Sequence, residues 1–174
     1  MSTLNVTNIK AADGTSALTI ANSTGAVTQT VTPSVTTPIL VWARKTDANV
    51  STQGTINWNV EMIDTANAYN NTNGTFTCPR AGHYEIHWHY LHRFNGYTRT
   101  TLQKNGSHIW GSGQQTIMYS ANGDSNDESN VSAFAVVNCA VNDTLSIYFQ
   151  DKSASADIYG GNNSHNGFMV KFLG

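Results

Sequence analysis

The apolar residues of this chain recur at every second position in short runs, and no stretch of useful length carries the 3.6-residue repeat of an amphipathic helix. From residue 38 the runs are "PILVWARK", "TINWNVEMI", "GTFTCP", "HYEIHWHYL", "RTTLQKNG", "SAFAVVNCAV", "DTLSIYFQ" and "GFMVKFLG". Clusters of Gly, Asn and Asp break them at sandwich spacing. A strand turns successive side chains to opposite faces, so each run offers one face to a core and one to other surroundings. An antiparallel sandwich or jelly roll satisfies that pattern. "QKNGSHIW" reads as a hairpin turned at Asn105-Gly106, since both residues tolerate the positive φ of a tight turn.

The 174 residues suit one domain with a short appendage. Residues 1–32 are thin: Leu4, Val6, Ile9, Leu18, Ile20 and Val27 are too little apolar surface for a monomeric core. Such a β-rich segment is stable if several copies wind together, or it is disordered. Residues 33–37, within "TQTVTPSVTTP", read as a linker, and 38–174 as the folded head. Charged residues make up 11% of the chain, against roughly a quarter in ordinary domains, so hydroxyls and amides solvate the surface. A net charge of −2 without a basic stripe gives no reason to expect nucleic acid or an anionic membrane as partner. "MSTLNVTNIK" has no apolar run, so neither a signal peptide nor membrane insertion is expected. The Asn-x-Ser/Thr sequons at Asn5, Asn22 and Asn105 then follow from composition. Cys78 and Cys139 are too few for a disulfide framework; they either pair across the fold or stay as buried thiols.

"HYEIHWHYLH", residues 83–92, holds four of the six histidines. Alternation puts Tyr84, Ile86, Trp88 and Tyr90 on one face, the natural core set, and His83, Glu85, His87 and His89 on the other. In an isolated sandwich the second set is polar surface. His83 and His92, at the ends, are expected on the surface.

The stretch "AYNNTNGTFTCPRAGHYEIHWHY" resembles the complement C1q and tumour-necrosis-factor-like jelly-roll superfamily. The likeness rests on Tyr69-Asn70, then Gly74-Thr75-Phe76, then Pro79-Arg80-Ala81-Gly82-His83-Tyr84. "LQKNG" at 102–106, "VNDTLSIY" at 141–148 and the closing "SHNGFMVKFLG" follow in the family's order. Asn142 stands for the usual Gly, and Asn166 where Phe is typical. The resemblance covers residues 38–174. No collagen repeat is present. "STLNVTNIKAADGTSALTI" resembles repeats in bacteriophage tail-fibre and other virion proteins, notably of marine and cyanobacterial viruses.

The superfamily resemblance implies a homotrimer whose inner sheet packs around the threefold axis. Glu85, His87, His89, His165, Met169 and Lys171 then face the other subunits. His87 and His89 lie about 7 Å apart along one strand face. Three copies of one or both, with His165, could hold a transition-metal ion such as Fe²⁺ or Ni²⁺; a wet, hydrogen-bonded channel is the plainer alternative. Asp124, Asp127 and Glu128 in "NGDSNDESN" suit Ca²⁺, which some relatives bind, or form a solvated acidic loop. Tyr97 and Trp110 border turns, where a ring can stack on a sugar; core packing is the alternative for each. Trp42, Trp58 and Trp88 belong to core or interface. With neither a Gly-x-Ser-x-Gly elbow nor a zincin motif, and with no carboxylates paired around a cleft, no enzyme is expected.

Together these features lead to a trimeric viral tail-fibre or virion-surface protein made in the host cytoplasm. Its head binds a host receptor, a surface polysaccharide, and its N-terminal segment docks on other virion proteins. The rival expectation is a structural virion component, a capsid decoration or baseplate part, without receptor binding.

Overall fold

All regular structure among the described residues is β-strand, as two-residue alternation requires. In this computed structural model those residues are 38–109, 118–122, 128–153, 155–161 and 165–174, with the backbone of three short strands nearer the N-terminus. The chain divides into two compact units, Met1–Thr36 and Thr37–Gly174. In the first, β1 (Asn8–Lys10), β2 (Ser16–Ile20) and β3 (Val27–Thr28) form an antiparallel sheet in that order. The expected linker at 33–37 lies outside the described residues.

The second unit holds two antiparallel sheets. In chain order its strands are β4 (Leu40–Arg44), β5 (Gly54–Thr55), β6 (Val60–Asp64), β7 (Tyr69–Asn70), β8 (Thr75–Thr77), β9 (Gly82–Arg93), β10 (Gly96–Lys104), β11 (Ser107–His108), β12 (Met118–Asn122), β13 (Glu128–Cys139), β14 (Thr144–Lys152), β15 (Asp157–Ile158) and β16 (Gly167–Phe172). One sheet runs β13-β9-β16-β4-β6, with β15 beside β9. The other runs β11-β10-β14-β8-β7, with β12 on β10 and β5 on β14. Strands distant in sequence lie side by side, as the jelly roll expected from the sequence demands.

The core sits between the sheets. Tyr84, Ile86, Trp88 and Tyr90 of β9 are fully buried with Trp58, Phe76, Leu145, Ile147, Phe149 and Phe168. Trp58 stacks on Phe168 at 6.2 Å. The aromatics with polar tips find partners there: Trp88 Nε1–H donates to Thr100 Oγ1 at 3.0 Å, and the Tyr90 and Thr98 hydroxyls meet at 3.2 Å. Tyr69 accepts from the Trp58 N–H and donates to the Trp58 carbonyl.

The motif glycines have mechanical reasons. Gly74 has φ +74°, and a Cβ there would lie 2.3 Å from the Ile56 carbonyl oxygen. Gly82 has φ +141°, and its Cβ would meet Gly174 O at 2.5 Å. Asn105 and Gly106 have φ of +52° and +74°, as the hairpin from β10 to β11 expects. Asn142, in place of the usual Gly, also has positive φ, +69°, in the turn before β14. Asn tolerates that conformation better than other side chains. Beside the turn, Asp143 accepts from Asn105 Nδ2, Lys104 Nζ and the Ala140 N–H, which hold its carboxyl well down, at about 2.

One expectation needs correction. His92 is not on the surface: β9 runs on to Arg93, so the alternation that buries Tyr90 also buries His92 completely. Its Nδ1 meets Thr98 Oγ1 at 2.9 Å and its Nε2 meets the Phe94 carbonyl at 3.1 Å. Burial pushes its pKa below the ordinary value, opposed by the Phe94 carbonyl and the charge of Asp157. Asn166, at the position of the family's Phe, is buried as a backbone latch: Oδ1 accepts from the Leu91 N–H at 3.0 Å and Nδ2 donates to the Tyr159 carbonyl. Cys78 and Cys139 are buried free thiols, and burial raises both pKa values.

Two outcomes follow for stability. Asn142→Gly should change the urea-derived stability by less than about 0.5 kcal/mol, because relief of the left-handed conformation offsets the added chain entropy. Asn142→Val should cost on the order of 1–2 kcal/mol in the same measurement, since a β-branched residue resists positive φ. His92 acts through pH. Its folded pKa lies below the unfolded value of about 6.5, so on acidification the unfolded chain binds the proton first. The wild-type melting temperature should therefore fall from pH 7 to pH 5. The gap between wild type and His92→Gln should narrow over that range, as differential scanning fluorimetry would record.

Candidate functional site

The outward face of the β13-β9-β16-β4-β6 sheet departs from the polar surface an exposed sheet normally carries. Register sets its composition. His87 of β9 stands opposite Phe134 of β13 and Met169 of β16; Met169 stands opposite Trp42 of β4, and Trp42 opposite Ile63 of β6. Directly opposed residues of an antiparallel pair share a face. Phe134, His87, Met169, Trp42 and Ile63 therefore form one belt across five strands. Phe134 is 66% exposed and Trp42 39%, and the His87 and Phe134 rings stack at 5.7 Å. A register shift between Trp42 and Ala43 disturbs the alternation of β6, and Met62 is exposed beside Ile63.

A second row lies alongside: Val136, Glu85 and Lys171 are opposed in turn. Glu85 Oε1 accepts from His87 Nε2 at 2.5 Å. That bond, with the nearby Lys171 ammonium, lowers the Glu85 pKa. On the other side of the belt Ser132, His89 and Gly167 are opposed. Gly167 makes room for the imidazole, since a Cβ there would come within 2.4 Å of His89 Cε1. Trp42, His87, His89, Gly167, Phe168 and Met169 line a shallow depression of about 210 Å³.

Five of the six residues expected at an axis, Glu85, His87, His89, Met169 and Lys171, thus share this face. His165 is exposed in the turn before β16, outside the ladder. Among the described residues of one chain, no group of three or more His, Cys, Asp or Glu could hold a metal ion. The axial set expected from the sequence would draw its ligands from three chains. In the pair with Glu85, His87 Nε2 faces the carboxylate, which leaves Nδ1 as the ring nitrogen outside it.

Of the loop sites, Trp110, Asp124 and Asp127 lie outside the described residues. Glu128 is exposed at the start of β13, opposite Arg93. Tyr97 is the second residue of β10, half-buried and stacked on Tyr119 of β12 at 5.6 Å. Sequence reasoning missed Tyr119, Arg99 and Asp151 beside it, and also Phe134 and Ile63 of the belt. Phe134 was within reach, since "SAFAVVNCAV" alternates it with Val136. Its place opposite His87 depends on register between strands some forty residues apart.

Comparison with known proteins agrees with this geometry. The family model described as C1q domain matches residues 41–170. The globular domain of the zebrafish complement 1qA protein superposes with a TM-score of 0.51 at 15% identity, covering 79% of this chain and 96% of that one. The Eiger TNF structure from S. frugiperda superposes with a TM-score of 0.53 at 11% identity, covering 79% and 93%. No curated protein matches the chain in sequence.

Proposed function

The chain belongs to the C1q domain family, and from that premise we propose that it is a homotrimeric head that attaches a virion to its host by binding a surface glycan. The observation that carries the trimer is the belt of Phe134, His87, Met169, Trp42 and Ile63. Phe134, Trp42 and Ile63 are exposed large apolar side chains in a row completed by His87 and Met169, and such a patch marks a surface that another chain covers. Glu85 and Lys171, opposed at its margin, supply a polar rim. Domains of this family are binding modules, and nothing in the site calls for chemistry: the head holds its ligand and releases it unchanged.

Three weak sites on one rigid head gain avidity that none has alone, which suits a repetitive polysaccharide. The likeness of residues 2–20 to tail-fibre repeats supports the virion setting, with that segment docking on neighbouring virion proteins. In this reading the protein is made in the host cytoplasm and acts at the tail fibre or virion surface. His87 and His89 of three chains would line the axis and offer imidazole nitrogens to an ion there.

Native mass spectrometry of untagged, chelator-free protein tests the assembly and the ion together. A trimer is expected, and a fixed extra mass on it would identify an axial ion. Met169→Glu should convert the trimer to monomer, because three unpaired charges at a buried interface cost several kcal/mol each. A Met169→Glu trimer with unchanged melting would sink the axial assignment. Binding of the purified protein to host cells, abolished by stripping their polysaccharide, tests attachment; binding to virion components alone would favour the structural role.

A further inference from the structure

We propose that Tyr97, Arg99 and Tyr119, on the outward face of the other sheet, form the subsite that stacks on a neutral sugar ring of the glycan. The proposal rests on the glycan-binding reading above and names the surface that performs it. Arg99 of β10 stands opposite Tyr119 of β12 on one side and opposite Asp151 of β14 on the other. Tyr97, two residues earlier, shares the face. The two rings are near-parallel, 21° apart, with centroids at 5.6 Å, so they are offset and not eclipsed. The Arg99 guanidinium lies 4.8 Å from the Tyr97 centroid and 5.6 Å from that of Tyr119. Its Nη1 donates to Asp151 Oδ2 at 3.2 Å.

Each feature limits the ligand. Arg99 is held by a carboxylate and two rings, so its charge is compensated and the patch offers no net attraction to an acidic polymer. Its contacts with both rings order the platform before a ligand arrives, which reduces the entropy lost on binding. Tyr119 is 57% exposed, so its ring is open to a ligand. The patch is also small. Among the described residues, Tyr119 is the one exposed large hydrophobic on β10, β12 or β14, well short of the roughly 1,000 Å² a stable protein interface requires. A pyranose matches that size: its face of polarised C–H bonds complements the negative face of a tyrosine ring, while its hydroxyls stay in water.

The test is retention of the full chain on an array of immobilised bacterial polysaccharides, neutral and acidic. Tyr119→Ala, Tyr119→Gln and Tyr119→Phe are compared with wild type after each is matched for oligomeric mass and melting temperature. Wild type should bind at least one neutral polysaccharide. Tyr119→Ala and Tyr119→Gln should weaken that binding by about tenfold, one ring being lost from each of three linked sites. Tyr119→Phe, which keeps the ring, should bind within about twofold of wild type. Wild-type affinity in both truncations would overturn the subsite while leaving the glycan reading intact. Retention on acidic polysaccharides alone would overturn the neutral-sugar assignment. No retention of wild type on any polysaccharide would overturn the subsite and the glycan reading together.

Discussion

Strand β9 fixes both sheets at once. Its inward residues, Tyr84, Ile86, Trp88 and Tyr90, fill the centre of the core. Two of them also bond across it: Trp88 to Thr100 and Tyr90 to Thr98, both on β10 of the opposite sheet. These bonds tie the polar tips of large apolar side chains to fixed partners, so the two sheets cannot slide without leaving buried donors unpaired. Along its edges β9 pairs with β13 over Gly82–Arg93 and with β16 over Tyr84–His89. A slip of one residue would exchange Tyr84, Ile86 and Trp88 for Glu85, His87 and His89 in the core. The burial of two histidines and a carboxylate forbids that exchange.

The same register that protects the core composes the outward face. Because His87 is locked between Phe134 and Met169, and Met169 beside Trp42, the apolar belt follows from the pairing and is no chance cluster. The histidines of "HYEIHWHYLH" thereby divide by environment. His83 is exposed near the start of the strand, His87 is bonded to Glu85 and stacked on Phe134, and His89 stands over Gly167. His92 is sealed in the core. One motif thus divides into outward imidazoles and one sealed in the core.

How much of this was legible in the sequence depended on distance along the chain. Alternation within residues 83–90 identified the core face of β9, and Asn105-Gly106 identified the hairpin, because both are local signals. His92 was misread through strand length alone: the parity was right, but β9 was ended too early. Leu91 breaks parity and is still buried; its backbone is held by Asn166 and Tyr159. That covering segment has no periodicity to read. Tyr119 was invisible for a similar reason, since "IMYSAN" lacks the alternating apolar set that marks a strand. Arg99, Asp151 and Tyr119 converge only through the pairing of β10 with β12 and β14, which no single segment encodes.

The two outward faces also differ in kind, and the difference bears on how such a head would work. The belt runs edge to edge across five strands, a shape suited to extended contact with a second copy of the same surface. The Tyr97–Tyr119 pair is a small patch, suited to something the size of one ring. Assembly that covers the first face leaves the second free, because they lie on opposite sides of one core about 10 Å thick. In the proposed trimer, changes at the ring pair would alter ligand preference without disturbing assembly, while the belt, the β9 register and the buried aromatics would have to change together or not at all. A fold organised this way can vary what it recognises at little cost to how it assembles.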